Sequence, residues 1–291
     1  MKKTIFITLL ALVVISWGTA FVAIKYLLEV EGLDPMRLTV LRYLPAALLM
    51  VAMMFVLYDP KKIFSAWRQE WLGIALYGIT GVLGYNLALN YGESRIAAGT
   101  ASLIVGLSPI FTLIASNLAL KEKITARKLG GIITAFIGLF IVVRWGAKEV
   151  INFKYLLGVL ITLGAPLSWA VYTIVGKPMM HRQDTNLITM SAVVWGTLPL
   201  LFFAPSYKTL VSISAKGWGA LLFLSLVCTI FGFLVWSWAL KKTEAARLGA
   251  IVYLIPLVTI ISGLIFIREA PTIGLVIGGL VLIAGVVMAE T

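Results

Sequence analysis

The sequence has few of the side chains that perform chemistry. It contains one cysteine, one histidine and twelve acidic residues among 291, and only 12% of its residues are charged. The single cysteine, Cys228, excludes an intrachain disulfide, and no cluster of cysteine, histidine and carboxylate has metal-site spacing. A phosphate-binding P-loop and a catalytic triad are also missing. We therefore expect no cofactor, no metal and no enzyme activity, with an intramembrane enzyme as the remote alternative.

Apolar residues are abundant instead. The chain is 61% hydrophobic with a mean hydropathy of +1.03, whereas soluble domains are about half apolar and about one quarter charged. Runs of about twenty apolar residues, each long enough to cross a bilayer, recur along the chain. They lie at about 5–28, 36–57, 71–92, 97–119, 127–144, 155–176, 186–204, 217–240, 246–267 and 272–289. The sequence predicts an all-α polytopic membrane protein of ten transmembrane helices without a soluble domain.

The first apolar run imitates a secretory signal peptide. Two lysines precede an apolar core in MKKTIFITLLALVVI, which is the order of a signal sequence. No small-x-small cleavage site follows, and the run continues past Trp17 to Leu28. We interpret it as an uncleaved first span.

The net charge of +12 reflects basic residues that lie between the spans. With the N-terminus inside, fourteen Lys and Arg residues lie on the inner side and eight on the outer side. The positive-inside rule then predicts two cytoplasmic termini in the cell membrane. The expected partners are the lipid bilayer and a small-molecule substrate, without nucleic acid, and we expect a monomer.

The two halves of the chain repeat each other. A shift of 147 residues brings four pairs into register: Trp71 with Trp218, Pro109 with Pro256, Thr112 with Thr259, and Glu122 with Glu269. We therefore divide the chain into halves at 1–147 and 153–291, each with five spans. Because five is odd, the second half enters the membrane inverted. Inverted repeats are typical of secondary transporters that bind substrate between the halves, with a channel or a scaffold as the alternative.

Several segments resemble the EamA type of the drug/metabolite transporter superfamily. The first half contains ISWGTAFVAIKYLL and NYGESRIAAGTASLIVGLSPIF, and the second contains LSWAVYTIVGK and GAIVYLIPLVTIISGLIFIREAPT. This resemblance implies ten helices in two inverted five-helix repeats. It also implies a central cavity lined by spans 1, 3, 4, 6, 8 and 9, with spans 5 and 10 peripheral. Members mostly export small metabolites, especially amino acids, so we expect an amino-acid exporter.

Lys25 and Arg42 are the only basic residues inside the spans. A charge there costs about 3 kcal/mol at the centre of the helix. Both residues lie near the predicted outer ends of their spans, where a long side chain can snorkel to the interface. The resemblance implies a basic residue at the Arg42 position in many members. Two roles therefore remain open for both residues. One is attraction of substrate or gating on the outer side, and the other is structural anchoring.

Asn86, Asn90 and Glu93 follow the i, i+4, i+7 spacing of one helix face in the third span. Asparagines that faced lipid would be costly, so this face should meet protein or water. We favour a cavity-lining role over interhelical hydrogen bonds. Glu93 is the candidate proton site if the cavity reaches it.

Aromatic residues supply further candidates for the cavity wall. On the first and sixth spans these are Trp17, Trp169 and Tyr172, and on the eighth and ninth they are Trp236 and Tyr253. Aromatic residues near span ends usually form interface belts. Trp17, Trp169 and Tyr253 lie deeper than such a belt, which favours a place in the cavity.

Pro109 and Pro256 occupy equivalent positions of the two repeats, within the fourth and ninth spans. A proline inside a helix frees a carbonyl and bends the helix. Both are candidate hinges beside the site, with simple packing kinks as the alternative. Glu122 and Glu269, which follow these spans, are interpreted as interfacial.

The acidic residues lie in predicted loops or at span ends. A carboxylate in the middle of the membrane, the common device for proton exchange, is therefore absent from the predicted spans. We expect transport down the substrate gradient, with Glu93 as the one residue that could contradict this expectation.

Overall fold

The computed structural model describes residues 3–120, 125–146, 152–242 and 254–290, which form a bundle of apolar helices without a β-strand among them. Eight helical segments are long and apolar enough to cross a membrane, and two shorter apolar helices follow. The predicted all-α polytopic fold is confirmed. The apolar helices are α1 Lys3–Glu29, α2 Pro35–Leu57, α3 Pro60–Glu93, α4 in two halves (Ala98–Val105 and Ser108–Leu120), α5 Ala126–Trp145, α6 Phe153–Arg182, α7 Thr185–Phe203, α8 (Ala215–Leu222, Phe223–Phe231 and Gly232–Lys242), α9 Ile255–Phe266 and α10 Ile273–Glu290. A short helix, Tyr207–Ser212, lies between α7 and α8.

Helix α3 begins well before the predicted span at 71–92. Pro60 occupies its first turn, and the Asp59 side chain accepts a hydrogen bond from the backbone N–H of Lys61. Proline at the first helical position and an Asp cap both favour a helix start. The first turns carry Lys61 and Arg68, so hydropathy alone detects only the apolar remainder of the helix.

The loops define two ends of the bundle. At the Glu29 end, where α1 finishes, the carboxylate of Glu31 accepts a hydrogen bond from the backbone N–H of Ser214 at 3.0 Å. Contacts from the hydroxyl and the N–H of Ser214 hold the pKa of Glu31 below its usual range. At the Arg182 end, the guanidinium of Arg182 donates to both oxygens of Glu70, at 2.7 and 2.9 Å. Helix α1 therefore runs towards the Glu29 end and α6 towards the Arg182 end, as expected for the first helices of inverted halves.

Helices α5 and α10 pack backbone against backbone. A Cβ atom built on Gly131 would lie 2.4 Å from the backbone nitrogen of Ala289, and one on Gly138 would lie 2.3 Å from that of Leu282. Only glycine allows this approach, which is the usual device for close packing of membrane helices. The two helices that the resemblance places at the periphery form a tight pair.

The predicted mid-helix position of the prolines is wrong. Helix α4 is interrupted at Gly106 and Leu107, and Pro109 lies in the first turn of its second half. Pro109 has no N–H for the carbonyl of Val105, and the Ser108 hydroxyl donates to that carbonyl instead, at 2.6 Å. Pro256 likewise lies in the first turn of α9. Motion at these positions stays a prediction. Glu122, the predicted counterpart of Glu269, lies outside the described residues.

Candidate substrate cavity

A cavity lies between the helices near the middle of α1. Its volume is about 60 Å³, which is room for about four water molecules. Helices α1, α3, α4, α6, α8 and α9 contribute to its wall, as the resemblance implies, and α2 contributes as well. Its polar and aromatic lining residues are Trp17, Phe21, Arg42, Tyr43, Tyr85, Ser108, Trp169 and Phe233.

Arg42 supplies the charge of this cavity. Its side chain is only 5% exposed, and it lies in the second turn of α2, about 10 Å from the start of that helix at 1.5 Å per residue. The snorkelling alternative is therefore wrong for Arg42. A buried cation requires partners, and the protein supplies them from two other helices.

The guanidinium of Arg42 is held in a fixed orientation. Nε donates to the Thr229 hydroxyl at 3.0 Å, and Nη1 donates to Oδ1 of Asn86 at 3.1 Å. The guanidinium carbon also lies 5.1 Å from the ring centre of Tyr43, within the range of a cation–π contact. Nη2 has no acceptor among the described residues. It is the nitrogen that remains for a ligand in the cavity.

Asn86 and Asn90 form interhelical hydrogen bonds instead of lining the cavity. The Asn86 amide donates to the Tyr43 hydroxyl at 2.8 Å, and the Asn90 amide donates to the Thr39 hydroxyl at 2.9 Å. Both asparagines are fully buried and face α2. The predicted preference for cavity lining is wrong for them. Asn86 nevertheless orients Arg42, so it acts on the cavity through that side chain.

The face of α3 that lines the cavity is the neighbouring one. It carries Tyr85 and Leu89, each one residue before an asparagine of the buried face. Successive residues of a helix differ by about 100° in direction. The spacing of the asparagines indicated a buried polar face, but not that α2 would cover it.

The aromatic candidates form one cluster at the Arg182 side of the cavity. The ring centre of Trp17 lies 5.9 Å from that of Trp169 and 5.3 Å from that of Trp236. Trp169 stacks on Tyr172 with 4.9 Å between the ring centres. Trp17 and Trp169 line the cavity, while Tyr172 and Trp236 support them from behind. Tyr253 lies outside the described residues.

Several residues of the cavity wall were not predicted from the sequence. The ring centre of Phe233 lies 6.3 Å from that of Trp17, and the ring centre of Tyr85 lies 5.6 Å from that of Trp169. Tyr43 directly follows Arg42, and Ser108 directly precedes Pro109. For Tyr43 and Ser108, the available signal was that each lies next to a residue already predicted for the site. No periodic pattern distinguishes these wall residues from residues that pack between helices.

A second, larger space lies at the Glu29 end. This space, which we call the vestibule, has a volume of about 350 Å³. Its lining is partly polar and includes Lys25, Glu29, Arg95, Tyr155 and Glu269. The carboxylate of Glu269 accepts hydrogen bonds from the first N–H groups of α4, those of Ala98 and Gly99, at 3.3 and 3.2 Å. A carboxylate is favourable at a helix N-terminus, so Glu269 joins α4 to the segment after α9.

Lys25 connects α1 with the loop between α3 and α4. Its Nζ donates to the carbonyls of Glu93 and Ile96, at 3.0 and 2.8 Å, and pairs with Glu29 at 2.7 Å. Lys25 is 8% exposed and lines the vestibule, not the cavity. The structure thus places its amine as an anchor for the loop, and a role in gating stays a prediction.

Glu93 ends α3 and is completely buried, with 0% exposure. Neither carboxylate oxygen has a hydrogen-bond partner among the described residues. The prediction that it lies at a span end is correct, but burial separates it from the water of the vestibule.

Comparisons with known proteins agree with this architecture. A model of the EamA-like transporter family matches residues 4–144 and 156–291. A solved crystal structure with 18% sequence identity superposes with a TM-score of 0.70, covering 99% of this chain and 97% of the other. At that identity the superposition shows the fold alone.

Relatives of similar length carry transporter names. An uncharacterized transporter of Archaeoglobus fulgidus is 35% identical, with 97% of each chain covered. A probable terminal-alkyne amino-acid exporter of Streptantibioticus cattleyicolor is 28% identical over 99% of this chain and 94% of its own. A probable amino-acid metabolite efflux pump of Salmonella typhimurium is 28% identical over 94% and 90%. The chain therefore belongs to the EamA-like transporter family of multi-pass membrane proteins.

Proposed function

We propose that this protein exports small amino acids or closely related zwitterions across the cell membrane by alternating access. The observation that carries the proposal is Arg42, a buried guanidinium with one nitrogen left for a ligand in an aromatic-walled cavity. Two relatives named as exporters of amino acids or their metabolites support the substrate class.

The substrate carboxylate binds Nη2 of Arg42 in this proposal. Hydrogen bonds between ionised groups are stronger than those between neutral groups. The ammonium group lies against the faces of Trp17 and Tyr85, which attract cations, and the Ser108 hydroxyl offers it an acceptor. A positive charge fixed in a low-dielectric cavity repels cationic substrates, so zwitterions and anions are preferred.

The size of the cavity favours small substrates. A cavity with room for about four water molecules is close in size to glycine or alanine. Larger amino acids require movement of Phe21 on α1 or Trp169 on α6, which both line the cavity. The break in α4 lies in the same wall, and discontinuous helices are typical of the sites of alternating-access transporters.

Transport by purified protein in liposomes tests this function. A panel of labelled small neutral, acidic and basic amino acids is compared with a sugar in counterflow. We expect saturable exchange of small zwitterionic amino acids, weaker exchange of acidic ones and none of basic ones. An ion current without saturable exchange of any compound would favour a channel instead.

The proposed orientation places the Glu29 end outside the cell and the Arg182 end in the cytoplasm. The sequence supports it, because fourteen Lys and Arg residues are predicted on the inner side, which includes Arg182, and eight on the outer side. We expect an impermeant maleimide to label Val30→Cys in intact cells and Lys61→Cys only after permeabilisation, with Cys228→Ser in both proteins. Labelling of Lys61→Cys alone in intact cells would show the opposite orientation.

A further inference from the structure

The Glu93 carboxylate lies in the layer that separates the cavity from the vestibule. On α3, Leu89 lines the cavity one turn before Glu93, and Ser94 lines the vestibule directly after it. On α1 the same change occurs between Ile24 in the cavity and Lys25 in the vestibule. Glu93 lines neither space, so it is part of the closed barrier.

The nearest cation, Lys25, gives the Glu93 carboxylate no hydrogen bond. A lysine ammonium has three N–H donors, and those of Lys25 go to the carbonyls of Glu93 and Ile96 and to the carboxylate of Glu29. No donor of Lys25 remains for the Glu93 side chain. The charge of Lys25 still attracts an ionised Glu93, but the cost of burying the carboxylate is the larger effect.

The other groups near Glu93 do not compensate for this. The carboxylates of Glu29 and Glu269 act on it as like charges. Arg95, two residues further along the chain, donates to the Tyr91 carbonyl and the Ser94 hydroxyl. Other titratable groups on the helices packed around the end of α3 include Tyr26 on α1, Arg37, Arg42 and Tyr43 on α2, Tyr85 and Tyr91 on α3 itself, and Lys154 and Tyr155 on α6.

An ionised carboxylate without a hydrogen bond is one of the costliest groups to bury, and such a group takes up a proton instead. The barrier as observed is therefore compatible with a neutral Glu93. When the barrier opens, the carboxylate meets vestibule water and the freed amine of Lys25, both of which stabilise its charge. Opening and ionisation are then linked.

We propose that Glu93 is a proton-binding site of the barrier between cavity and vestibule, which closes on the protonated side chain and opens as the carboxylate ionises. On opening, the proton passes to water in the vestibule, and on closing one proton returns to Glu93 from that water. The proposal rests on the transporter architecture but not on the identity of the substrate. It takes up the one exception, Glu93, to the expectation of transport without a proton site in the spans.

The test measures how accessible the cavity is from the Glu29 end. Ala20 lines the cavity, so Ala20→Cys in the Cys228→Ser background reports on the barrier through its reaction rate with an impermeant thiol reagent. Val30→Cys, at a position that is 66% exposed at the same end, corrects for the ionisation of the thiol itself. We expect the corrected rate to rise with pH by up to about tenfold per pH unit, the limit for one proton.

Three further substitutions, each combined with Ala20→Cys, test whether Glu93 causes this pH dependence of the reaction rate. Glu93→Gln should give a low rate that does not change with pH, because glutamine is an uncharged isostere of the protonated acid. Glu93→Asp should keep a slope, and Glu269→Gln should keep the slope of the parent protein. A flat corrected rate in the parent, an unchanged slope in Glu93→Gln, or loss of the slope in Glu269→Gln alone would each overturn the proposal. Since no substrate is added, this result is independent of the transport assay.

Discussion

Replacement of Arg42 by glutamine is expected to lower the efficiency of amino-acid exchange by about 10–100-fold, since a hydrogen bond to a charged group contributes about 1.5–3 kcal/mol. The loss should appear mainly in KM, because Nη2 holds the substrate carboxylate before and after the helices move. Glutamine cannot reproduce the contacts that Arg42 makes with both Thr229 and Asn86. Arg42→Lys should retain the charge and part of the exchange, without the planar guanidinium that fixes the orientation.

Arg37 provides the matched control for this substitution. It lies on the same helix, is exposed, and makes one long contact with the Thr209 hydroxyl, at 3.5 Å. Arg37→Gln removes the same charge from α2 and should leave exchange within about twofold of the parent, as expected of an exposed side chain. Normal exchange by a monodisperse Arg42→Gln protein would contradict the proposed carboxylate site.

Gly131→Ala is expected to destabilise the protein by about 1–3 kcal/mol, the usual cost of overpacking. The added methyl group would lie 2.4 Å from the backbone nitrogen of Ala289 and 2.7 Å from the carbonyl oxygen of Gly285. Backbone atoms of α10 cannot rotate away, so the two helices must separate. Thermal unfolding of the purified protein in detergent should show the loss as a lower midpoint.

The adjacent Gly130 gives a control on the same turn of α5. A methyl group there would meet only the terminal Cε of Met288, at 3.0 Å, which is the flexible end of its side chain. Gly130→Ala should therefore be neutral or stabilising by up to about 1 kcal/mol, the difference in helix propensity between glycine and alanine. Equal midpoints for the two variants would show that α5 and α10 do not pack as described.

Residues that line the site were only partly predictable from the sequence. Trp17 and Trp169 are rare residue types at mid-span positions, Arg42 is a rare charge inside a span, and the structure places all three in the cavity wall. Phe233 and Tyr85 also line the cavity, but they occur in apolar runs, where an aromatic residue is just as common in helix packing. Periodicity specifies which residues share a face of a helix, and it does not specify what that face meets.

The sequence by itself determined the class of this protein. Apolar runs of bilayer length allow only spanning helices, since backbone polar groups in lipid must be satisfied within the helix. It also determined that the asparagines of α3 must be covered, because exposure to lipid would leave their amides without partners.

Only the tertiary structure decided what covers each polar group. Tyr43 and Thr39 of α2 accept hydrogen bonds from the amide nitrogens of Asn86 and Asn90, and the helix rotation that this requires turns Tyr85 towards the cavity. The same packing leaves the carboxylate of Glu93 buried without a donor. The physical reason is that hydrogen bonds between helices depend on the rotation and height of two distant segments, and the spacing of residues within one segment does not contain these quantities.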